Sequence, residues 1–372
     1  MKSFKYLHIM THPAMFFNEN IIDMIHLNND TFDSAEHLFI VGYEDIYNKY
    51  KMYDNVILIP KIMTKNYGKF LRYCNNAQFV FLHQNWFYDF IRLLITPIKI
   101  RKKYIWCVWG HDLYTNYGMT TGLKERTKMF LRKIGGLLIN FESKYYKGIG
   151  IGFKYDALEI KKRFKKNINI YLCPYRIGLD KEVVERIKSS NDTVYENKSN
   201  IKIMIGHSAH SYLNHKKILK KLEKFKDENI LISLPLVYGN QKYAQEVIQY
   251  SKSIFGEDKV EVLERRLSSV DYIKYLNSVD VAIMDQVQQS GLGNLYSLLF
   301  LNKKVYLNGD GVLSQAFFLE GLYLNETSQI DRQSFEEFAQ CSNKSEYWYP
   351  GYMLDDTNMI RMWKETLKKL SS

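Results

Sequence analysis

Short apolar runs alternate with longer segments of helical periodicity along most of the chain. The apolar runs do not alternate strictly with polar residues, which is typical of strands that are covered on both faces of a parallel sheet. In the first half we predict strands at Tyr6–Met10, His37–Val41, Val56–Ile59, Phe79–Leu82, Tyr104–Trp109, Gly148–Ile151 and Ile170–Leu172. Helical patterns fall between them, notably at Phe87–Ile95 and Gly122–Tyr146. This alternation of strands and helices predicts an α/β fold.

Residues 181–200 are charged and rich in Asn and Ser, so we place a linker there, between a first domain at 1–180 and a second at 201–355. In the second domain we predict strands at Ile201–Ile205, Ile230–Pro235, Val260–Leu263, Val281–Met284 and Lys304–Leu307. Helices are predicted from about Asn214 and near Gln241–Phe255, Ser269–Asn277 and Gly293–Phe300. Residues 356–372 contain a last basic, amphipathic helix that can pack back across the domain junction.

Two doubly wound domains of this kind are expected to face each other across a cleft. In open parallel sheets, ligands bind beyond the carboxyl ends of the strands, because loops and helix N-termini converge there. We therefore expect the functional residues in the loops that directly follow the predicted strands.

Composition limits the class of protein. Of the 372 residues, 46 % are hydrophobic, which is enough to bury two cores and excludes global disorder. The sequence has no long uninterrupted apolar window and no signal-peptide core at its start, so we expect an intracellular protein without a transmembrane helix.

Four scattered cysteines, without zinc-like spacing, predict free buried thiols in a reducing compartment. The net charge of +12 favours phosphorylated substrates, acidic lipid or nucleic acid as partners, although a lysine-rich proteome would also explain it.

The strongest chemical signal is a glycine-containing loop before an apolar helix, with the sequence Gln288-Gln289-Ser290-Gly291-Leu292-Gly293-Asn294. Its glycines allow the backbone to approach a bulky anion, and N–H groups at the start of the helix can face phosphate oxygens. The alternative is a strand-to-helix turn that binds no ligand.

A second loop follows the strand at Ile201–Ile205 and has the sequence Gly206-His207-Ser208-Ala209-His210-Ser211. Its small and hydroxyl-bearing residues suit a second diphosphate contact. The alternative is that Ser208 or Ser211 caps the following helix.

Two further loops of the second domain directly follow predicted strands. Tyr238 is placed to touch a sugar or phosphate, or else packs with its hydroxyl in water. Arg265 and Arg266 follow Val260–Leu263, where paired arginines can neutralise phosphate or stack on a base, although such a pair is usually a solvated surface.

In the first domain, the loop that follows the strand ending at Trp109 carries His111 and Asp112. A carboxylate there can take a proton from an acceptor hydroxyl, or can orient His111 to do so. The alternative is an aspartate that caps the local backbone. His12 and His83 lie at the ends of neighbouring strands and would supply a polar surface that contacts the acceptor. A single histidine in such a position more often has a structural role.

Two segments of the first domain combine basic and apolar residues. Leu93–Ile98 is flanked by arginines and lysines, and Lys124–Tyr146 carries further basic residues along an apolar helical pattern. Basic helices with an apolar face can lie on anionic lipid. Amphipathic helices that pack on a sheet give the same pattern, but two in one domain favour an interfacial role.

At these loops the chain resembles glycosyltransferase family 56, whose known members are bacterial TDP-N-acetylfucosamine:lipid II N-acetylfucosaminyltransferases. The resemblance is carried by Trp109-Gly110-His111-Asp112-Leu113-Tyr114, Gly206-His207-Ser208 with Asn214-His215, Pro235-Leu236-Val237-Tyr238-Gly239 and Gln289-Ser290-Gly291-Leu292-Gly293. It is collinear over about 202–308 and looser in the first domain.

The resemblance implies a GT-B glycosyltransferase fold with two Rossmann-like domains. The donor, bound by the second domain, would be a dTDP-linked 4-acetamido-4,6-dideoxygalactose. The acceptor, bound by the first, would be a polyprenyl-diphosphate-linked saccharide of bacterial surface polysaccharide synthesis. These substrates imply a cytoplasmic protein that is peripheral on the anionic inner face of the cell membrane.

Our hypothesis for the reaction is that backbone N–H groups at Gly206–Ser208 and Gly291–Asn294 hold the donor diphosphate. Arg265 or Arg266 would offset charge on the leaving group. The sequence contains no Asp-x-Asp metal anchor, so we expect neither a metal ion nor another cofactor. Asp112, alone or with His111, would position or deprotonate the acceptor hydroxyl.

Two other functions stay open at this point. One is a GT-B transferase or epimerase that uses a UDP- or GDP-sugar. The other is a non-catalytic nucleic-acid-binding protein, which would explain the basic charge but not the glycine loops. Because the sequence shows no clear RNA- or DNA-binding motif, we expect no nucleic-acid partner.

Overall fold

The computed structural model describes residues 4–11, 15–61, 65–84, 95–110, 112–113, 123–164, 168–176, 186, 200–319, 321–340 and 356–372. These residues form two compact units. The first unit contains the described residues up to Arg176 together with the helix at Asp356–Ser371. The second contains the described residues from 186 to 340.

A parallel sheet forms the centre of the first unit. Its strands are β1 (Tyr6–Met10), β2 (His37–Val41), β3 (Val56–Leu58), β4 (Phe79–His83), β5 (Tyr104–Val108), β6 (Gly148–Ile151) and β7 (Ile170–Leu172). They lie in the order β3-β2-β1-β4-β5-β6-β7, and all neighbours pair in parallel. Most strand residues are buried, as expected when helices cover both faces of a sheet. The helices are α1 (Met15–Leu27), α2 (Glu44–Tyr50), α3 (Tyr67–Asn76), α4 (Ile98–Arg101), α5 (Leu123–Glu142) and α6 (Asp156–Arg163).

A second parallel sheet forms the centre of the second unit. Its strands are β8 (Ile201–Ile205), β9 (Ile230–Pro235), β10 (Val260–Leu263), β11 (Val281–Met284), β12 (Lys304–Leu307) and β13 (Asn325–Glu326). They lie in the order β10-β9-β8-β11-β12-β13, again with parallel neighbours. The helices are α7 (His215–Leu222), α8 (Gln241–Phe255), α9 (Ser269–Ser278), α10 (Leu292–Phe300), α11 (Val312–Leu319) and α12 (Phe335–Ala339).

The strand order of the second sheet reverses direction between β8 and β11. From β8 the chain first builds outward through β9 and β10, and then crosses back to β11 and continues through β12. Such a switch point opens a crevice at the carboxyl ends of the two central strands, where ligands bind. The loops that begin at Gly206 and Asp285 follow these two strands and therefore lie side by side.

The C-terminal helix, α13 (Asp356–Ser371), packs on the sheet of the first unit. Trp363 is fully buried, and its indole Nε1 donates a hydrogen bond of 2.8 Å to the carbonyl of Pro174. The Thr366 hydroxyl donates to the carbonyl of Leu172, also at 2.8 Å. These bonds join α13 to β7 and to the residues just after it.

Most of the predicted elements are confirmed. All twelve strands predicted from the sequence are present and differ from the observed bounds by at most one residue. The short polar strand β13 was not predicted, and no bounds were predicted for helices α1 to α4, α6, α11 and α12. Most of the helix predicted at Phe87–Ile95 lies outside the described residues. Cys74, Cys107 and Cys173 are free and buried as predicted, whereas Cys341 lies outside the described residues.

Candidate functional site

Gly206 opens the loop after β8 and is held close to β11. Its N–H donates a hydrogen bond of 2.9 Å to the carbonyl of Ile283. Its φ is +66°, and a Cβ atom at this position would lie 2.5 Å from Nε2 of His215. The left-handed backbone and the packed imidazole therefore both require glycine.

Gly291 has the same two constraints at the start of α10. It is the N-cap residue of that helix, with a φ of +68°. A Cβ atom there would lie 2.4 Å from Cδ2 of His207 and 2.8 Å from Cε of Met284. The conformation of the glycine loop therefore depends directly on a residue of the loop after β8.

His207 joins the two loops. Its Nε2 lies 2.7 Å from the hydroxyl of Ser290, and its Nδ1 lies 3.3 Å from that of Tyr238. Burial, with a smaller contribution from His210, lowers the pKa of His207 to about 4. The imidazole is thus neutral at pH 7 and contributes hydrogen bonds to this site but no positive charge.

The other residues of these two loops are also ordered by local contacts. Ser208 is buried, and its hydroxyl lies 2.8 Å from Nδ1 of His210. The alternative in which Ser208 or Ser211 caps the next helix is wrong, because the N-cap of α7 is Asn214. In the glycine loop, Gln289 and Gly293 are half-buried. The side chain of Asn294 accepts a hydrogen bond of 3.1 Å from the hydroxyl of Tyr272 on α9.

Asp285 is a residue whose importance the sequence analysis missed. It directly follows β11, is fully buried, and accepts hydrogen bonds or an ion pair from four side chains. The four donors are Asn214 and Lys217 from the β8 side of the crevice, and Asn308 and Thr327 from the ends of β12 and β13. Its position directly after a buried strand could have marked it as a candidate from the sequence. The convergence of four partners on it could not be predicted, because it depends on the strand order.

Tyr238 and the two arginines lie further along the same edge. Tyr238 keeps 54 % of its surface exposed, and its backbone carbonyl accepts a hydrogen bond of 2.7 Å from the N–H of Ala209. Arg265 and Arg266 are exposed and follow β10, which is two strands away from β8. At about 4.8 Å per strand, these arginines start roughly 10 Å from the end of β8.

Asp112 is enclosed within the first unit. Its carboxylate accepts hydrogen bonds of 2.7 Å from Nε1 of Trp106 and 2.8 Å from the N–H of Trp109, and it has no exposed surface. These bonds hold the turn after β5 against the sheet. A direct base role requires an oxygen that reaches the acceptor, so the catalytic role of Asp112 stays a prediction. His111 lies outside the described residues.

His83 belongs to a buried row of histidines on neighbouring strands. Its Nε2 lies 2.9 Å from Nδ1 of His8, whose Nε2 lies 2.9 Å from Nδ1 of His37. The second nitrogen of His83 lies 2.6 Å from the hydroxyl of Tyr175. Both ring nitrogens are thus used internally, and an acceptor contact would require the neighbouring side chains to move. His12, the other acceptor candidate, lies outside the described residues.

Among the described residues, no three His, Cys, Asp or Glu side chains form a group suited to hold a metal ion. The expectation that the protein needs no metal stays a prediction.

Comparison with known families identifies the chain. The family described as 4-alpha-L-fucosyltransferase, glycosyl transferase group 56, matches residues 8–340. This chain belongs to glycosyltransferase family 56. The match spans both units, so the protein is a sugar-transferring enzyme rather than the non-catalytic nucleic-acid-binding protein considered above.

Solved structures similar to this chain show its fold. Anabaena HepE in complex with UDP and glucose is 11 % identical, with a TM-score of 0.62 over 98 % of this chain and 99 % of that chain. A glycosyltransferase from Rickettsia africae is 10 % identical, with a TM-score of 0.57 over all of both chains. OtsA without ligand is 10 % identical, with a TM-score of 0.54 over 100 % of this chain and 99 % of that chain. The two parallel-sheet units of this family 56 member are those of the GT-B fold.

Proposed function

We propose that this family 56 enzyme transfers a sugar of the 4-acetamido-4,6-dideoxygalactose type from a dTDP-sugar to a polyprenyl-diphosphate-linked saccharide. The observation that carries the proposal is the pair of glycine loops at the switch point of the second sheet. Gly206 and Gly291 each have a positive φ, and the hydrogen bond between His207 and Ser290 joins their loops. The finer details of donor and acceptor rest on the family resemblance.

The donor site is formed by backbone rather than by charged loop residues. N–H groups at Gly206–Ser208 and Gly291–Asn294 can surround a diphosphate, since small residues and a helix start expose such groups. Because His207 is neutral, attraction to the anion comes from these dipoles and from cations nearby. The HepE structure contains UDP, which makes a nucleoside diphosphate the natural probe for this fold.

In the proposed reaction, the acceptor hydroxyl oxygen forms a bond to the anomeric carbon while the bond from that carbon to the diphosphate breaks. The electron pair of the broken bond leaves with the diphosphate. The hydroxyl proton is taken up by Asp112, alone or with His111.

A thermal-shift panel of dTDP, UDP and GDP tests the donor class. A ligand at one hundred times its dissociation constant adds about 2.7 kcal/mol to the free energy of unfolding. We expect the largest shift with dTDP. A larger shift with UDP or GDP would favour the alternative donor, and no shift with any of the three would contradict the proposed donor site.

Replacing Asp112 with Asn is expected to abolish sugar transfer without weakening dTDP binding. The substitution keeps the size of the side chain but removes its charge, and the donor loops lie in the other unit. Transfer should be measured with dTDP-sugar and lipid-linked acceptor, and dTDP affinity by calorimetry. Asp156→Asn, at a second buried carboxylate of the first unit, is the matched control. An active Asp112→Asn enzyme would remove Asp112 from the mechanism.

A lipid-linked acceptor requires the enzyme to reach a membrane surface, and the first unit offers a suitable face. Helix α5 exposes Phe130, Leu137 and Phe141, with exposed fractions of 63 %, 68 % and 53 %. Lys144 lies beside this stripe, with Nζ 5.2 Å from the ring centre of Phe141. No helix among the described residues is long and apolar enough to cross a bilayer. Exposed apolar side chains beside a lysine suit the inner, anionic surface of the cell membrane.

We expect Phe130→Ser combined with Phe141→Ser to weaken binding to phosphatidylglycerol vesicles at least about tenfold, because each lost apolar insertion costs roughly 1.5 kcal/mol or more. Sedimentation with vesicles measures the effect. Phe318→Ser, which alters an equally exposed aromatic residue of the second unit, serves as the control. Equal binding by the double variant and the control would show that α5 is not the docking face.

A further inference from the structure

Lys217 lies at the carboxyl edge of the second sheet, where its ammonium is fixed by a buried carboxylate. Its Nζ lies 2.8 Å from Oδ2 of Asp285, and its side chain keeps 53 % of its surface exposed. Asp285 has no exposed surface. The lysine is therefore held on one side by a buried anion and presents its other side to solvent.

Asp285 does not depend on Lys217 alone. Side chains of Asn214, Asn308 and Thr327 also donate hydrogen bonds to its two oxygens. A carboxylate with this many donors stays satisfied in a buried position. An ammonium group has three N–H donors, of which the contact with Asp285 occupies one. Lys217 thus has donor capacity left on its exposed side.

The position of Lys217 in its helix is unusual. Helix α7 has no acidic residue in its first turn, which instead contains Lys216 and Lys217. Cations at the N-terminus of a helix oppose the helix dipole, so this arrangement costs free energy unless an anion lies nearby. The buried Asp285 supplies one such anion, and a bound phosphate would supply another.

Two buried nitrogen atoms close to these loops also lack a hydrogen-bond partner within the described part of the chain. Among the described residues, Nε2 of His215 and Nε2 of Gln288 have no hydrogen-bond partner. His215 packs against Gly206, and Gln288 is the first residue of the glycine loop. Buried polar groups in folded proteins are almost always hydrogen-bonded, so a polar group of a ligand bound here would satisfy these atoms.

We propose that Lys217 binds the diphosphate of the donor and supplies the positive charge that stabilises the departing nucleoside diphosphate. This inference rests on the proposed function. Lys217 suits the role better than the two arginines after β10. It is bound to Asp285, and Asp285 begins the loop that leads to Ser290 and Gly291. Asp285 fixes the ammonium before the donor arrives, so little ordering is needed on binding.

The test compares nucleotides that differ only in their phosphates. Titrations of dTDP and thymidine into the wild-type protein and Lys217→Met are expected to show dTDP binding weakened about 10- to 100-fold, the range of a lost charge-assisted hydrogen bond. Thymidine affinity should change less than about twofold, since the nucleoside carries no phosphate. Lys217→Arg should retain most of the affinity for dTDP because it keeps the charge.

Lys216→Met is the matched control, because Lys216 lies on the same helix turn but pairs with Glu246 at 2.9 Å. It should bind dTDP like the wild-type protein. If wild-type protein prefers dTDP to thymidine and Lys217→Met keeps that preference undiminished, the inference is overturned while the donor site stands. If wild-type protein binds neither dTDP nor UDP, the proposed function fails and this inference fails with it.

Discussion

Lowering the pH from 7.5 to 5.5 is expected to destabilise both units strongly. His8, His37 and His83 are buried in the first unit, and His207 and His215 in the second. Burial lowers the pKa of His37, His83 and His215 to about 3 and that of His207 to about 4, and it lowers the pKa of His8 as well. In the unfolded chain each of these groups has a pKa of about 6.5.

The direction of this pH effect on stability follows from proton binding by the histidines. Between pH 6.5 and 4 the unfolded chain binds protons at these histidines and the folded chain does not, so the free energy of unfolding falls as the pH falls. At pH 5.5 each histidine removes about 1.4 kcal/mol relative to pH 7.5, or roughly 4 kcal/mol for the three of the first unit. Urea unfolding at several pH values measures this loss.

The variant His215→Gln provides the control for the pH effect. Glutamine cannot titrate, so the stability lost between pH 7.5 and 5.5 should be smaller by about 1.4 kcal/mol than in the wild-type protein. A free energy of unfolding that stays constant over this interval would show that the buried histidines are not neutral in the folded state.

Gly291→Ala is expected to weaken dTDP binding about 10- to 100-fold. A φ of +68° costs about 1–2 kcal/mol for a residue with a Cβ atom. The added methyl group would also lie 2.4 Å from His207, so the glycine loop must move away from the loop after β8. Movement of the loop misaligns the N–H groups proposed to hold the diphosphate, and each such hydrogen bond contributes about 1.5–3 kcal/mol.

Gly256→Ala separates the effect on the site from backbone strain. Gly256 follows α8 with a φ of +85°, and a Cβ atom there would meet no atom within 4 Å. This control should lose stability but keep its affinity for dTDP. If isothermal titration gives the same affinity for the two variants, the glycine loop does not contact the diphosphate.

The fold was predictable because strand burial leaves a direct signal in the sequence. Val281–Met284 is apolar throughout and Tyr6–Met10 is apolar except for His8, and both became central strands with the predicted bounds. The strand β13, at Asn325–Glu326, consists of two polar residues and carries no such signal. Helix α1 was missed although it supplies buried isoleucines to the core.

The site was only partly predictable, because its contacts depend on the order of strands rather than on the order of residues. Gly206 and Gly291 were found from local spacing, yet their coupling through His207 requires β8 and β11 to be neighbours. For the same reason, the four partners of Asp285 could not be read from the sequence. In the first unit the sequence located Asp112 and His83 at strand ends but did not reveal that both are buried and hydrogen-bonded internally.

The central claim is that the two glycine loops of the second unit hold the donor diphosphate. A crystal structure of the enzyme with dTDP tests it most directly. We expect the diphosphate within hydrogen-bonding distance of backbone N–H groups at Gly206–Ser208 and Gly291–Asn294. Nucleotide bound in the first unit, or side chains filling the crevice between these loops with dTDP bound elsewhere, would contradict the account.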